Sequence, residues 1–155
     1  MLYFAYVRSK LEYCSPVWNP IYDKYSKAIE SLNNKFLKFC HYKVTGQYPS
    51  FDCNYNELLH YFNMESLSIR RKIHSISFLY KFLHGQINDS AILSRIPFNI
   101  PRLNVKTNLT FYLKSLRANY ELKCPIRQMC SLFNDVNVRS DIHADSFHKF
   151  KISLL

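Results

Sequence analysis

The stretch SLSIRRKIHSISFLYKFLHG, Ser66 to Gly85, sets Arg70, Arg71 and Lys72 side by side ahead of a row of aliphatic and aromatic residues. Consecutive cations are raw material for holding phosphate. Carboxylate chemistry has less to stand on. Glu30, Glu57, Glu65 and Asp89 are scattered without a spacing suited to acid and base work, and no close pair of aspartates could share two magnesium ions. Cys40 and His41 adjoin, but neighbours on a helix project about 100° apart and do not meet as nucleophile and base. Cys40 reads as core. No GxSxG elbow occurs, and two glycines in the whole chain leave no glycine-rich phosphate cradle. Cys14, Cys40, Cys53, Cys124 and Cys130 are odd in number and irregularly spaced, which fits reduced thiols of an intracellular protein better than disulfides or a zinc site. His143 and His148 are isolated. No catalytic residue, metal site or cofactor site is therefore expected in this chain.

The elements that must position the cations follow from composition and pattern. With 155 residues, 48% of them apolar and 16% aromatic, the chain has material for one domain with a real core, and is unlike a disordered arm. No apolar run approaches twenty residues, and Arg8, Lys10 and Glu12 interrupt what would be the core of a signal segment, so neither membrane insertion nor secretion is expected. Helices punctuated by proline, glycine and asparagine are the dominant pattern. Leu2 to Tyr13 predicts a helix with an Arg8–Glu12 pair at i,i+4 and apolar residues round most of its circumference. It starts without a capping residue, as expected of a piece cut from a longer chain. Pro16 and Pro20 end it, with Trp18 between them expected to plug the core. A second helix from about Asp23 to Tyr42 has Tyr25, Ile29, Leu32, Phe36 and Phe39 as its apolar stripe and its lysines largely off it. Gly46 and Pro49 mark a connection, and a short helical turn follows at Glu57 to Phe62.

The third long helix ends at Gly85, a residue suited to the left-handed position after a helix. Its period puts Ile69, Ile73, Ile76, Tyr80 and Leu83 on one core stripe and Phe78 and Phe82 near the back, so it is apolar on two sides. The same period splits the triplet. Arg70 joins His74, Ser77 and Lys81 in a narrow polar strip, Arg71 falls between Phe78 and Phe82, and Lys72 flanks Leu79 and Leu83. Adjacent helical residues cannot form one compact hand. Arg71 is thus expected to pair with a carboxylate or backbone carbonyls while its stem lies on rings. Arg70 and Lys81 keep the better claim to phosphate.

The charge is lopsided. Of a formal net +10, the segment from His60 to Cys130 holds eleven Lys and Arg against three Asp and Glu. After a brief helix capped by Asp89 or Ser90 and ending near Ile96, Pro97 and Pro101 predict extended chain from Phe98 to Arg102. Arg102, Lys106, Lys114 and Arg117 then alternate with Phe98, Phe111, Tyr112 and Tyr120. Such interleaving can track a strand, cations on phosphates and rings on bases, or can pin a long loop to a core. Ile126 to Phe133 predicts a last helix. The fold class expected is mostly α, an irregular helical bundle with a long extended or loop segment, over residues 1–134, followed by a weakly patterned tail at 135–155. The nucleic-acid-binding candidates are Arg70, His74, Lys81, Arg102, Lys106, Lys114 and Arg117. Arg8, Glu12, Trp18 and Arg71 are the structural ones.

The segments LYFAYVRSKLEYCSPVWNP, IESLNNKFLKF, MESLSIRRKIHSISFLYKFLHGQI, FNIPR and PIRQMCSLFN resemble, in that order, the region downstream of the polymerase core in non-long-terminal-repeat retrotransposon reverse transcriptases of the jockey kind. Cys14 and NNKFLKF depart from the more usual alanine and QKKFLRF. The resemblance covers Leu2 to about Asn134 and implies the distal thumb and the helical extension after it. It pairs Arg8, Lys10 and Glu12 with one helix, Trp18 with the VWxP turn, and Arg70 with Arg71. The catalytic aspartates, and with them magnesium, would belong to a palm that nothing here matches. The implied function is that of a fragment of an RNA-directed DNA polymerase from a transposable element, inactive alone, contacting RNA or an RNA–DNA duplex without sequence preference and partnered by the polymerase core. The alternative expectation is a catalytically inert scaffold or protein-interaction module, with an exposed apolar patch around Leu2 to Leu11.

Overall fold

Proline, glycine and capping side chains cut the chain into helices of uneven length, described here from a computed structural model over residues 2–19, 22–49, 53–100, 109–115 and 124–136. The fold is an irregular helical bundle, with no sheet among the described residues. Arg102, Lys106, Arg117, Tyr120 and residues 137–155 lie outside them. The chain divides into two units, Met1–Arg71 and Lys72–Leu155, with the boundary inside one helix.

In the first unit, α1 is π-helical over Tyr3–Arg8 and α-helical over Ser9–Glu12. Cys14 then takes a left-handed conformation at φ +51°, which reverses the chain into the short α2, Ser15–Trp18. Trp18 does not plug the core. It is 38% exposed, and its indole donates to the Tyr13 carbonyl at 2.5 Å, so the tight turn meets the ring's polar need locally and holds it at the surface.

The helix α3, Asp23–Thr45, runs three residues past the expected end. Gly46, at φ +73°, stops it by donating to the Tyr42 carbonyl at 2.9 Å. Its most buried residues lie beside the expected stripe, of which Ile29 and Phe36 are half-buried. Asn33 and Leu37 are buried, whereas Tyr25, Leu32 and Phe39 are exposed. Ser26, Glu30, Asn33 and Leu37 recur at helical spacing, and the polar members of that row have buried partners that turn it inward. The helix α4, Tyr55–Tyr61, is capped by Asn54, whose side chain accepts from the Asn56 amide at 3.1 Å. Leu58 and Leu59 of α4 pack with Leu37 as a small core.

The helix α5, Leu67–Leu83, contributes residues to both units. Gly85 follows it at φ +68°, with bonds from Gly85 to the Phe82 carbonyl and from Gln86 to the Lys81 carbonyl closing the end as a Schellman turn. Of the expected stripe, Ile73, Ile76 and Tyr80 are buried, but Ile69 is exposed. In the second unit Ile76, Leu79, Tyr80 and Phe82 form the larger core with Ile96, Phe111 and the helix α7, Pro125–Val136, through Met129, Cys130 and Phe133. The short α6, Ser90–Leu93, is capped by Asp89, which accepts from the amides of Ala91 and Ile92. It ends three residues before Ile96. An isolated antiparallel bridge joins Phe98 to Phe111, and the Asn134 side chain takes both backbone groups of Phe111, accepting at 3.2 Å and donating at 2.8 Å. Phe111 is thereby fixed in the core, its neighbours bonded to Pro97 and Asn99.

Candidate functional site

In the first unit, side chains of α1, α3, α4 and α5 converge on two carboxylates. Glu12, the last residue of α1, accepts from Arg8 one turn earlier at 2.9 Å and from Arg70 at two points, Nε to Oε1 at 2.5 Å and Nη2 to Oε2 at 3.0 Å. The third nitrogen of Arg70, Nη1, lies 3.8 Å from Glu65. A two-point fork of this kind is the strong form of an arginine–carboxylate pair. Burial pushes the Glu12 carboxyl up, but the bonds from Arg70 and Arg8 outweigh it and hold it below the usual range.

Glu30, on the inward row of α3, is the second focus. Its carboxylate accepts from the amides of Leu67 at 3.4 Å and Ser68 at 2.5 Å, the first two residues of α5, while the Ser66 hydroxyl takes the Ile69 amide at 3.2 Å. These are the amides that a helix leaves without internal partners, so a side chain from a distant helix completes the cap. Arg71, 1% exposed, stands 3.9 Å from Glu30 and donates to Asn19 at 3.2 Å and Ser26 at 3.1 Å. Burial pulls its guanidinium below the usual arginine range, with Glu30 acting in the opposite sense.

A directional chain of hydrogen bonds feeds the same carboxylate. Tyr3 donates to Asn33 Oδ1, Asn33 Nδ2 donates to the Tyr55 hydroxyl, and Tyr55 donates to Glu30 Oε2, each at 2.8 Å. Burial pushes the Tyr55 phenol well above its usual range, with Asn33 pulling it down and Glu30 pushing it up, so it remains a donor. Tyr3 also stacks on Phe36 at 3.6 Å, nearly parallel. Together these contacts hold α1, the turn before α3, α3, α4 and the start of α5 in one register. The arrangement is that of a structural lock: every acidic and basic group named in it is paired with another.

The candidate cations among the described residues fall in both units. Arg70 belongs to the first unit and is occupied by Glu12 and Glu65, which differs from the open phosphate contact expected of it. In the second unit His74 is half-buried, while Lys81 and Lys114 are exposed. Of the interleaved rings, Phe111 is fully buried, whereas Phe98 and Tyr112 are exposed. A cavity of about 430 Å³ lies between the end of α5 and α6, lined by Phe82, Leu83, Ile87, Asn88, Asp89 and Leu93, and the Asp89 carboxylate in it is already the cap of α6. Among the described residues no group of three His, Cys, Asp or Glu could hold a metal ion, and no helix is long and apolar enough to cross a membrane.

Compared with known proteins, the chain matches no family model, no curated protein and no solved structure.

Sequence reasoning missed Glu30, Asn33, Tyr55, Tyr3, Ser26 and Asn19. One signal was present: Ser26, Glu30 and Asn33 share a face at i, i+4 and i+7, and a polar row on a packing helix marks buried hydrogen bonding. The partners on other elements carried no such mark.

Proposed function

We propose that this chain is a non-catalytic helical module of a jockey-like reverse transcriptase, contacting RNA or an RNA–DNA duplex through its basic surface without reading sequence. One observation supports it most. The ion pairs made by Glu12, Glu30 and Glu65 all use arginines, so these three carboxylates do not neutralise the exposed Lys10, Lys24, Lys27, Lys35, Lys43 and Lys72. A surface with exposed lysines in excess attracts a polyanion at long range, and phosphate contacts position a strand without specifying it. The order and spacing of the jockey-like segments supply the kind of polyanion.

The test is fluorescence anisotropy of labelled RNA and of RNA–DNA hybrid against the full chain at rising salt. Binding that weakens steeply with salt is the expected result. Absence of affinity at low salt would sink the reading.

A second reading has an observation of its own. Leu2, Phe4, Tyr6 and Val7 of α1 are all exposed, Leu2 at 74% and Tyr6 at 65%, as expected of a module that docks on a protein partner. Within the proposed family context that partner is the polymerase core. Leu2→Ser with Val7→Ser should leave RNA binding unchanged and abolish docking onto a separately expressed core; loss of neither removes this reading.

A further inference from the structure

The outward side of α3 carries a different set of residues from the cations expected to bind nucleic acid. Taken round the helix at about 100° per residue, Lys24, Ala28, Lys35, Phe39 and Tyr42 fall opposite the inward row of half-buried Ser26 and Glu30 and buried Asn33 and Leu37. Tyr25, Leu32 and Lys43 flank them on the same side, and all eight are exposed. Tyr25 is 58% and Phe39 50% exposed, a large cost in water-facing ring surface for a helix that could have placed them inside. No carboxylate of α3 itself lies on this face. The two acids of α3 lie elsewhere, Asp23 at its first residue and Glu30 on the inward row.

The rings are held ready by local contacts. Lys43 Nζ lies 5.6 Å from the centre of the Phe39 ring, Tyr42 and Tyr48 meet with centroids 5.5 Å apart, and Tyr22 and Tyr25 meet edge to face at 6.3 Å. From Lys24 to Lys43 the face extends for about 28 Å along the axis. Four features coincide: exposed rings, interspersed lysines, no acid of the helix itself, and a continuous helical support. A protein partner would be met equally well by the apolar residues alone, whereas the excess of lysines on this face selects a partner that is itself negative along its length. Rings that face outward select one with unpaired bases, since a duplex keeps its bases stacked inside.

Building on the RNA reading above, we propose that the outward face of α3 is a binding site for single-stranded RNA, with Lys24, Lys35 and Lys43 on phosphates and Tyr25, Phe39 and Tyr42 under bases. The phenol hydroxyls of Tyr25 and Tyr42 supply the hydrogen-bonding groups that can meet a 2′-hydroxyl. The site is sequence-tolerant, because every base has a stacking face.

The test uses the full chain and a fluorescein-labelled oligouridylate of twenty nucleotides, with oligodeoxythymidylate of the same length and an RNA duplex as comparison arms. Neutralising three phosphate-bound lysines, K24Q with K35Q and K43Q, should lower the salt slope by about two, at roughly 0.7 per phosphate for a single strand. Tyr25→Ala and Phe39→Ala should each weaken oligouridylate binding by about tenfold while leaving duplex binding within about twofold. Arg95→Gln, an exposed cation off this face, should change it by less than threefold. Because each substituted side chain is exposed, thermal melts should stay at the wild-type value. Photocrosslinking of 4-thiouridine RNA to the unmodified chain gives an independent readout, expected on Tyr25, Phe39 or Tyr42.

Oligouridylate bound with unchanged affinity and slope by the lysine and ring variants, with crosslinks elsewhere, overturns this site and leaves the broader RNA reading standing. Equal affinity for oligodeoxythymidylate overturns the choice of RNA. Self-association of the wild-type chain that the ring variants abolish, without effect on RNA, assigns the face to a second copy and overturns the site as well. No binding of any nucleic acid at low salt removes the broader reading itself.

Discussion

Arg70 grips Glu12 at two points, across 58 residues of chain, with Nε at 2.5 Å from one carboxylate oxygen and Nη2 at 3.0 Å from the other. This contact ties the end of α1 to the first turns of α5 and leaves Arg70 as a fastening rather than an open cation. Arg70→Ala should therefore cost stability, by about 2 kcal/mol, as expected when one partner of a largely desolvated, charge-assisted pair is lost. A double-mutant cycle with Glu12→Ala, read by urea denaturation, should return a coupling of about 1–2 kcal/mol. Additive losses would show that the pair is not coupled in solution.

The same pair predicts an acid response. The folded-state pKa of Glu12 lies below its ordinary value of 4.5, so between the two values the unfolded chain binds the proton more readily. The contribution is complete above pH 4.5 and is lost as pH falls through the lowered folded value. Stability measured from pH 6 downward should fall less steeply in Glu12→Gln than in the wild type below that point. Parallel curves would remove Glu12 as a source of the acid loss.

Glu30 closes the amino end of α5 from another helix, so its removal should be felt there first. Glu30→Ala is expected to cost about 2 kcal/mol, combining a lost cap with a stranded Arg71. Glu30→Gln, which keeps an acceptor oxygen, should cost less. Amide hydrogen exchange at Leu67, Ser68 and Ile69 reports the cap directly. Protection that survives in Glu30→Ala would show that α5 holds its first turn without it.

Cys14 sits at φ +51°, where a side chain with a β-carbon is strained. Cys14→Gly should raise the melting temperature, by about 1 kcal/mol of stability, and Cys14→Val should lower it, since a β-branched residue tolerates that conformation least. The opposite order would mean that the turn does not demand a left-handed residue.

The thiols should react in sequence. Cys14 and Cys124 are exposed, Cys40 and Cys53 are half-buried, and Cys130 is fully buried with its thiol pushed up to about 12 by desolvation, with Cys124 adding to it. An aromatic disulfide reagent at pH 8 should label Cys14 and Cys124 first, and Cys130 only on unfolding. Early labelling of Cys130 would place the second core in exchange with solvent.

What the sequence determined by itself was local. The helical period, the break at Gly46, the left-handed Gly85 and a cap at Asp89 or Ser90 act within a few residues of themselves, so each could be read from spacing; Pro16, read as a helix end, instead opens α2. The i,i+4 pair of Arg8 and Glu12 is of the same kind. Tertiary structure decided which face of a helix is buried and which charge is taken. On α3 the aromatic stripe has the stronger apolar signal, yet the inward row is Ser26, Glu30, Asn33 and Leu37, because the partners of those polar groups come from α1, α4 and α5. Burying a polar group costs free energy until its partner is in place, and that partner lies 22 to 45 residues away, where no local period reaches. Arg70 differs from its neighbour Arg71 for a like reason: sequence places the two on different faces, but only the folded chain brings Glu12 to one and Glu30, Asn19 and Ser26 to the other.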